Sequence, residues 1–95
     1  MPFDLHFTER FKEHFERLPA DIKKPAKKIL YVLALNPRHP SLQCHKVEGG
    51  FGDHGGNIFE GYVTMKYRFT WEYGPDQGMI TLRNIDNHDE CLENP

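Results

Sequence analysis

Residues 21–48, DIKKPAKKILYVLALNPRHPSLQCHKVE, hold the change of rhythm that decides the fold. Up to Leu35 the apolar residues return every third or fourth position. Ile22, Ala26, Ile29, Leu30, Leu33 and Ala34 thereby line one side of a helix. Lys23, Lys24, Lys27 and Lys28 fall on the other side, the solvent face of an amphipathic helix. Asp21 is the expected cap, and Pro25 is expected within the first turn, where a missing N–H costs little. Asn36-Pro37 ends the helix and Pro40 prevents a restart. From Ser41 the period falls to two, so Leu42 to Glu48 is expected to be a strand.

Toward the N-terminus, Phe3, Leu5 and Phe7 alternate with polar residues as a short half-buried strand does. Thr8 then suits an N-cap, and Phe11, Phe15 and Leu18 recur at helical spacing until Pro19 stops them. Toward the C-terminus, Gly49 to Gly56 reads as an exposed loop. Ile58 to Thr64 and Tyr67 to Tyr73 are expected to form a hairpin, and the turn residues 74–78 lead to a last strand, Met79 to Ile85. Residues 86–95 read as a polar tail. The order strand, helix, helix, strands predicts a single α+β domain over residues 1–95, two N-terminal helices packed on a twisted, mainly antiparallel sheet.

With 95 residues there is room for one domain, and a core this small favours large side chains; seven Phe, four Tyr and one Trp supply them. The longest apolar run, Ile29 to Leu35, is far short of the roughly 20 residues of a membrane span. Asp4, His6, Glu9 and Arg10 occupy the place of a signal peptide's apolar stretch, so a cytoplasmic protein with two free thiols, Cys44 and Cys91, is expected. The net charge of −2 is uneven: residues 1–50 carry +3 and residues 51–95 carry −5. Binding of nucleic acid by bulk charge is thus excluded, and any RNA contact must be local. A metal module from Cys44, His45, His54, His88 and Cys91 is disfavoured, because the paired spacings of zinc sites are missing.

Several stretches, in this order, resemble the RelE/ParE superfamily of bacterial toxins. They are Phe7-Thr8-Glu9-Arg10-Phe11, Leu18-Pro19-Ala20-Asp21-Ile22, Leu35 to Leu42, His45-Lys46-Val47-Glu48-Gly49, Tyr67-Arg68-Phe69 and Ile85-Asp86-Asn87-His88-Asp89. The resemblance implies two helices on a twisted sheet with a concave active face, and a cognate antitoxin protein as partner. For many members it implies endonucleolytic cleavage of mRNA, usually on the ribosome. Other members inhibit DNA gyrase and lack the catalytic set. It implies no metal and no organic cofactor.

Cleavage of this kind uses the RNA's own 2′-OH as nucleophile, and the protein supplies a base, a cation and an acid. Arg68 matches the family's Tyr-Arg position and is the expected phosphate clamp, since a guanidinium makes bidentate bonds to phosphate at any relevant pH. His88, in the final turn, is the expected proton-transfer residue. Asp86 stands where the family has glycine, and an acidic neighbour would favour protonated His88 and hence the role of acid. His45 and Lys46 are adjacent on a strand and point to opposite faces, so only one can face the site. His45 would then be a second proton-transfer group or Lys46 an RNA contact. Glu60 is a candidate base or the ion-pair partner of Arg68. Tyr62, where relatives carry a basic residue, and Arg83 on the last strand are further candidate RNA contacts. With Tyr62 and Asp86 in place the site is less cationic than in typical active members, so a non-catalytic relative that binds antitoxin or gyrase is the alternative.

Overall fold

The computed structural model describes residues 2–95. β1 (Asp4–Phe7) leads into α1 (Glu9–Glu16), and the Thr8 hydroxyl caps that helix by accepting from the Phe11 N–H at 3.2 Å. The helix stops at Glu16, short of the expected Leu18. The N–H groups of Arg17 and Leu18 bond back three residues, to His14 and Phe15, which tightens the last turn. α2 (Ala20–Leu35) is capped by Pro19 and not by Asp21, which lies in the first turn, where its charge favours the helix N-terminus. Pro25 lies inside the helix and beyond that first turn, so the Asp21 carbonyl loses its helical donor; Asp21 is exposed, which limits the cost.

The expected strand from Leu42 begins later. Pro40–Leu42 form a 3-10 turn that buries Leu42 completely, and Gln43 reverses the chain at φ +49°. β2 (His45–Phe51) then continues through Gly49 and Gly50 by way of a bulge, so the loop shrinks to residues 52–56. β3 (Asn57–Tyr62), β4 (Tyr67–Tyr73) and β5 (Met79–Asn87) follow. The supposed polar tail contains a helix, α3 (His88–Glu93), capped by the Asn87 side chain, which accepts from the Glu90 N–H at 3.0 Å.

The strand order is β1-β5-β4-β3-β2, with β1 parallel to β5 and every other pair antiparallel. One face carries Phe69, Trp71, Ile80, Leu82 and Ile85, which close a core with Phe11, Leu18, Ala26, Leu30 and Leu33 of the α1–α2 segment. Gly61 lets the Phe69 ring lie across β3, because a Cβ there would stand 2.4 Å from it. The opposite face is polar: Glu60, Arg68, Thr70, Glu72, Thr81 and Asn84 are all buried on it. α3 returns over this polar face, where the Asn84 side chain donates to the Asn94 carbonyl at 2.7 Å and Cys91 is fully buried. No helix among the described residues is long and apolar enough to cross a membrane.

Candidate active site

Strand register builds the site. His45 lies opposite Glu60, and Tyr62 lies opposite Arg68, so all four side chains share the polar face across β2, β3 and β4. Lys46 pairs with Phe59 and therefore belongs to the helix face. His45 is thus the member of the adjacent pair that meets the site, and Lys46 is not beside it.

Glu60 is 1% exposed, and His45 Nε2 stands 3.0 Å from its Oε1. His45 Nδ1 faces the Gln43 carbonyl at 3.4 Å. The two contacts fix the orientation of the ring on the polar face. Glu60 is too deep to take a proton from an RNA hydroxyl directly; its reach into solvent runs through His45, whose side chain is half exposed.

Arg68 is 5% exposed, and its guanidinium carbon stacks 3.6 Å from the Tyr62 ring centroid. One of its terminal amines donates to the carbonyls of Thr64, at 2.8 Å, and Met65. Its Nε is 4.0 Å from Glu60 Oε1, beyond hydrogen-bond distance. The arginine expected as an open clamp is therefore largely committed to the β3–β4 turn. It lends positive charge to the face through Tyr62, the flat side of which it covers. His45 approaches the same Tyr62 ring edge-on at 6.4 Å.

His88 borders the same turn from the other side, its N–H bonded to the Lys66 carbonyl at 2.7 Å. Asp86 does not face it. That carboxylate points to His14 Nδ1 at 3.5 Å and accepts from the Asn87 N–H, so the acid beside His88 is the exposed Asp89, 3.5 Å from its Nδ1. His88 Nε2 is left without a partner among the described residues. Lys66 was not singled out in the sequence; it is an exposed cation in the turn, without an ion pair among the described residues, and it immediately precedes the Tyr67-Arg68 pair.

Arg83 is the site residue that the structure moves away. A bulge on β5, opposite Thr70 and Trp71 of β4, leaves Arg83 unpaired and turns it onto the fully buried Glu72. It also meets Asp53 at 3.3 Å and the Pro95 carbonyl at 3.1 Å. Glu72 in turn accepts from the N–H groups of Asp53 and His54, so the pair anchors the β2–β3 loop. Arg83 thereby commits its Nε and one terminal nitrogen to contacts within the fold. Beside it, burial and the neighbouring Arg83 charge hold the Arg10 guanidinium below its ordinary pKa.

The two thiols are chemically quiet. Burial pushes Cys91 up to about 12, with Glu60 adding to the rise, and burial raises Cys44 while the neighbouring Trp71 partly offsets it. No cluster of three or more His, Cys, Asp or Glu among the described residues is placed to hold a metal ion.

No family model matches the chain, and no curated protein is similar to it in sequence. Solved structures are similar in fold. The archaeal RelE–RelB complex from Pyrococcus horikoshii gives a TM-score of 0.71 at 13% identity, over 92% of this chain and 96% of that one. A YoeB/ParE toxin from Agrobacterium tumefaciens gives 0.70 at 15%, over 90% and 98%. YafQ from E. coli gives 0.68 at 10%, over 93% and 96%. At such identities the likeness is one of backbone, and it is nearly complete in both directions. The chain has the RelE/ParE-like α+β fold.

Proposed function

We propose that this protein is the toxin of a type II toxin–antitoxin pair and that it cleaves mRNA with the face built from His45, Glu60, Tyr62, Arg68 and His88. The observation that carries the reading is the His45–Glu60 contact, an exposed imidazole held by a buried carboxylate on the polar sheet face. His45, held through Nε2 by Glu60, donates from Nδ1 to the departing 5′-oxygen in place of its long contact with the Gln43 carbonyl. His88, whose Nε2 is open, accepts the proton of the attacking 2′-OH. Arg68 and Lys66 bias the face toward the charge that develops on phosphate, through the turn that both touch. RNA presented by a ribosome in the cytoplasm compensates for the low net charge of the chain.

The antitoxin partner follows from the same reading. Phe7, Phe11, Phe15 and Leu30 line a groove of about 390 Å³ between α1 and α2, flanked by Lys12 and Lys27. An amphipathic helix with acidic flanks fits such a groove.

A binding-only toxin, directed at gyrase or confined to its antitoxin, is the second reading, favoured by the burial of Arg68. Induced expression separates the two. Growth arrest with new mRNA 5′ ends, both lost in Arg68→Ala/His88→Ala, supports the nuclease. Arrest that persists in that variant without new ends supports the second reading.

A further inference from the structure

A cleft of about 470 Å³ opens on the helix face of the sheet, between the segment following α2 and strands β2 to β4. Its floor is aromatic. Phe59 and Trp71 stack with centroids 4.8 Å apart, and Tyr73 stands edge-on to them at 5.8 and 4.9 Å. Tyr73 is 42% exposed, so part of its ring is open to a ligand. The rim is cationic: Arg38 and Lys46 are exposed and make no ion pair among the described residues. In a chain with 14 acidic residues, none of the lining residues is Asp or Glu. The Trp71 indole N–H is buried against the Cys44 thiol, the one acceptor beside it.

An exposed stacking ring and free cations together match a nucleobase with its phosphate. Past Tyr73 the cleft meets a second one of about 500 Å³ that shares Pro37, Arg38 and Tyr73 but carries the acid Asp76, so charge favours phosphate in the first. At its other end is His45, which lines the cleft and also touches Glu60 on the polar face. Edge strand β2 therefore presents consecutive residues to the two faces, His45 to one and Lys46 to the other.

We infer that single-stranded RNA crosses the β2 edge, with a nucleotide seated on the exposed Tyr73 ring, which packs on the buried Trp71, and its flanking phosphates on Lys46 and Arg38. This subsite rests on the nuclease reading for its purpose but not for its chemistry. It lies outside the proposed cleavage residues and would set affinity and the preference for bases flanking the cut.

The test uses 2′-O-methyl RNA of about eight nucleotides, which cannot be cleaved, so binding is read whether or not the protein is a nuclease. Binding is followed by anisotropy of the labelled RNA and by emission of Trp71, the one tryptophan. The expected result is a saturable change in indole emission. Affinity should fall about tenfold in Arg38→Ala/Lys46→Ala and in Tyr73→Leu, and less than about twofold in Lys24→Ala, an exposed cation on the solvent side of α2. Arg38 and Lys46 are exposed, so their variant keeps the fold if Tyr73→Leu does not. Unchanged affinity in Arg38→Ala/Lys46→Ala, or equal binding of a polyglutamate peptide, overturns the inference; the latter result would make the cleft a dock for an acidic protein segment. Loss of cleavage elsewhere, with this binding intact, would refute the nuclease reading alone.

Discussion

His45 and Glu60 face each other across β2 and β3 with 3.0 Å between Nε2 and Oε1, one side chain half in solvent and the other sealed beneath it. A buried carboxylate behind an exposed imidazole fixes the orientation of the ring, which nothing does for a lone surface histidine. The two residues should therefore behave as one unit. His45→Ala is expected to lower single-turnover RNA cleavage by roughly 100-fold or more, and Glu60→Gln by a smaller factor in the same direction. A Glu60→Gln variant that cleaves at the wild-type rate would separate them.

Arg68 is expected to matter for stability as well as activity. Its removal takes a donor from the carbonyls of Thr64 and Met65, uncovers Tyr62, and removes the fixed positive charge 4.0 Å from buried Glu60, leaving His45 as its one partner. Arg68→Ala should cost about 3 kcal/mol in urea unfolding, and Arg68→Lys should recover little of it, because an ammonium cannot stack flat or serve the same fork. Unchanged stability would mean that the guanidinium is free after all, as an open phosphate clamp requires.

Gly52 approaches Glu72 so closely that a Cβ would lie 2.2 Å from its Oε1. Gly52→Ala must push the carboxylate away from Arg83 and from the N–H groups of Asp53 and His54. The expected loss is roughly 1–3 kcal/mol, with local loosening of the β2–β3 loop visible by hydrogen exchange.

Cys91 reports on α3. Its thiol is pushed up to about 12 from an ordinary 9.0, so it is protonated at neutral pH, and it is fully buried besides. Alkylation at about pH 8 should label Cys44 first and Cys91 only as α3 lifts. The folded pKa exceeds the unfolded one, so the thiol's contribution to stability is whole below about pH 9 and is lost as pH rises toward 12. Cys91→Ala should show a shallower alkaline loss than wild type.

Much of the fold was legible because the chain changes period within a few residues. The aromatic run Tyr67–Tyr73 reads as a strand and is β4 with the same bounds. α3 was hidden because a six-residue helix whose apolar residues are only Cys91 and Leu92 has no stripe to detect. The strand start at Leu42 failed because that side chain is buried by a 3-10 turn, and burial without periodicity looks alike in both. At the site, residue types were legible but partners were not. Alternation put His45 and Lys46 on opposite faces, and only the register with β3 says which face each takes. The exposed Arg68, the Asp86–His88 neighbourhood and a free Arg83 all depended on side-chain directions. A turn, His14 and Glu72 respectively redirect them.

The central claim is best tested by the chemistry of the cut ends. A 2′-OH attack leaves a 2′,3′-cyclic phosphate on the upstream fragment and a 5′-hydroxyl on the downstream one. Purified protein and mRNA on ribosomes should yield those ends, and His45→Ala/His88→Ala, shown to be folded, should yield none. Intact mRNA with the wild-type protein, or ends of another chemistry, would contradict the account.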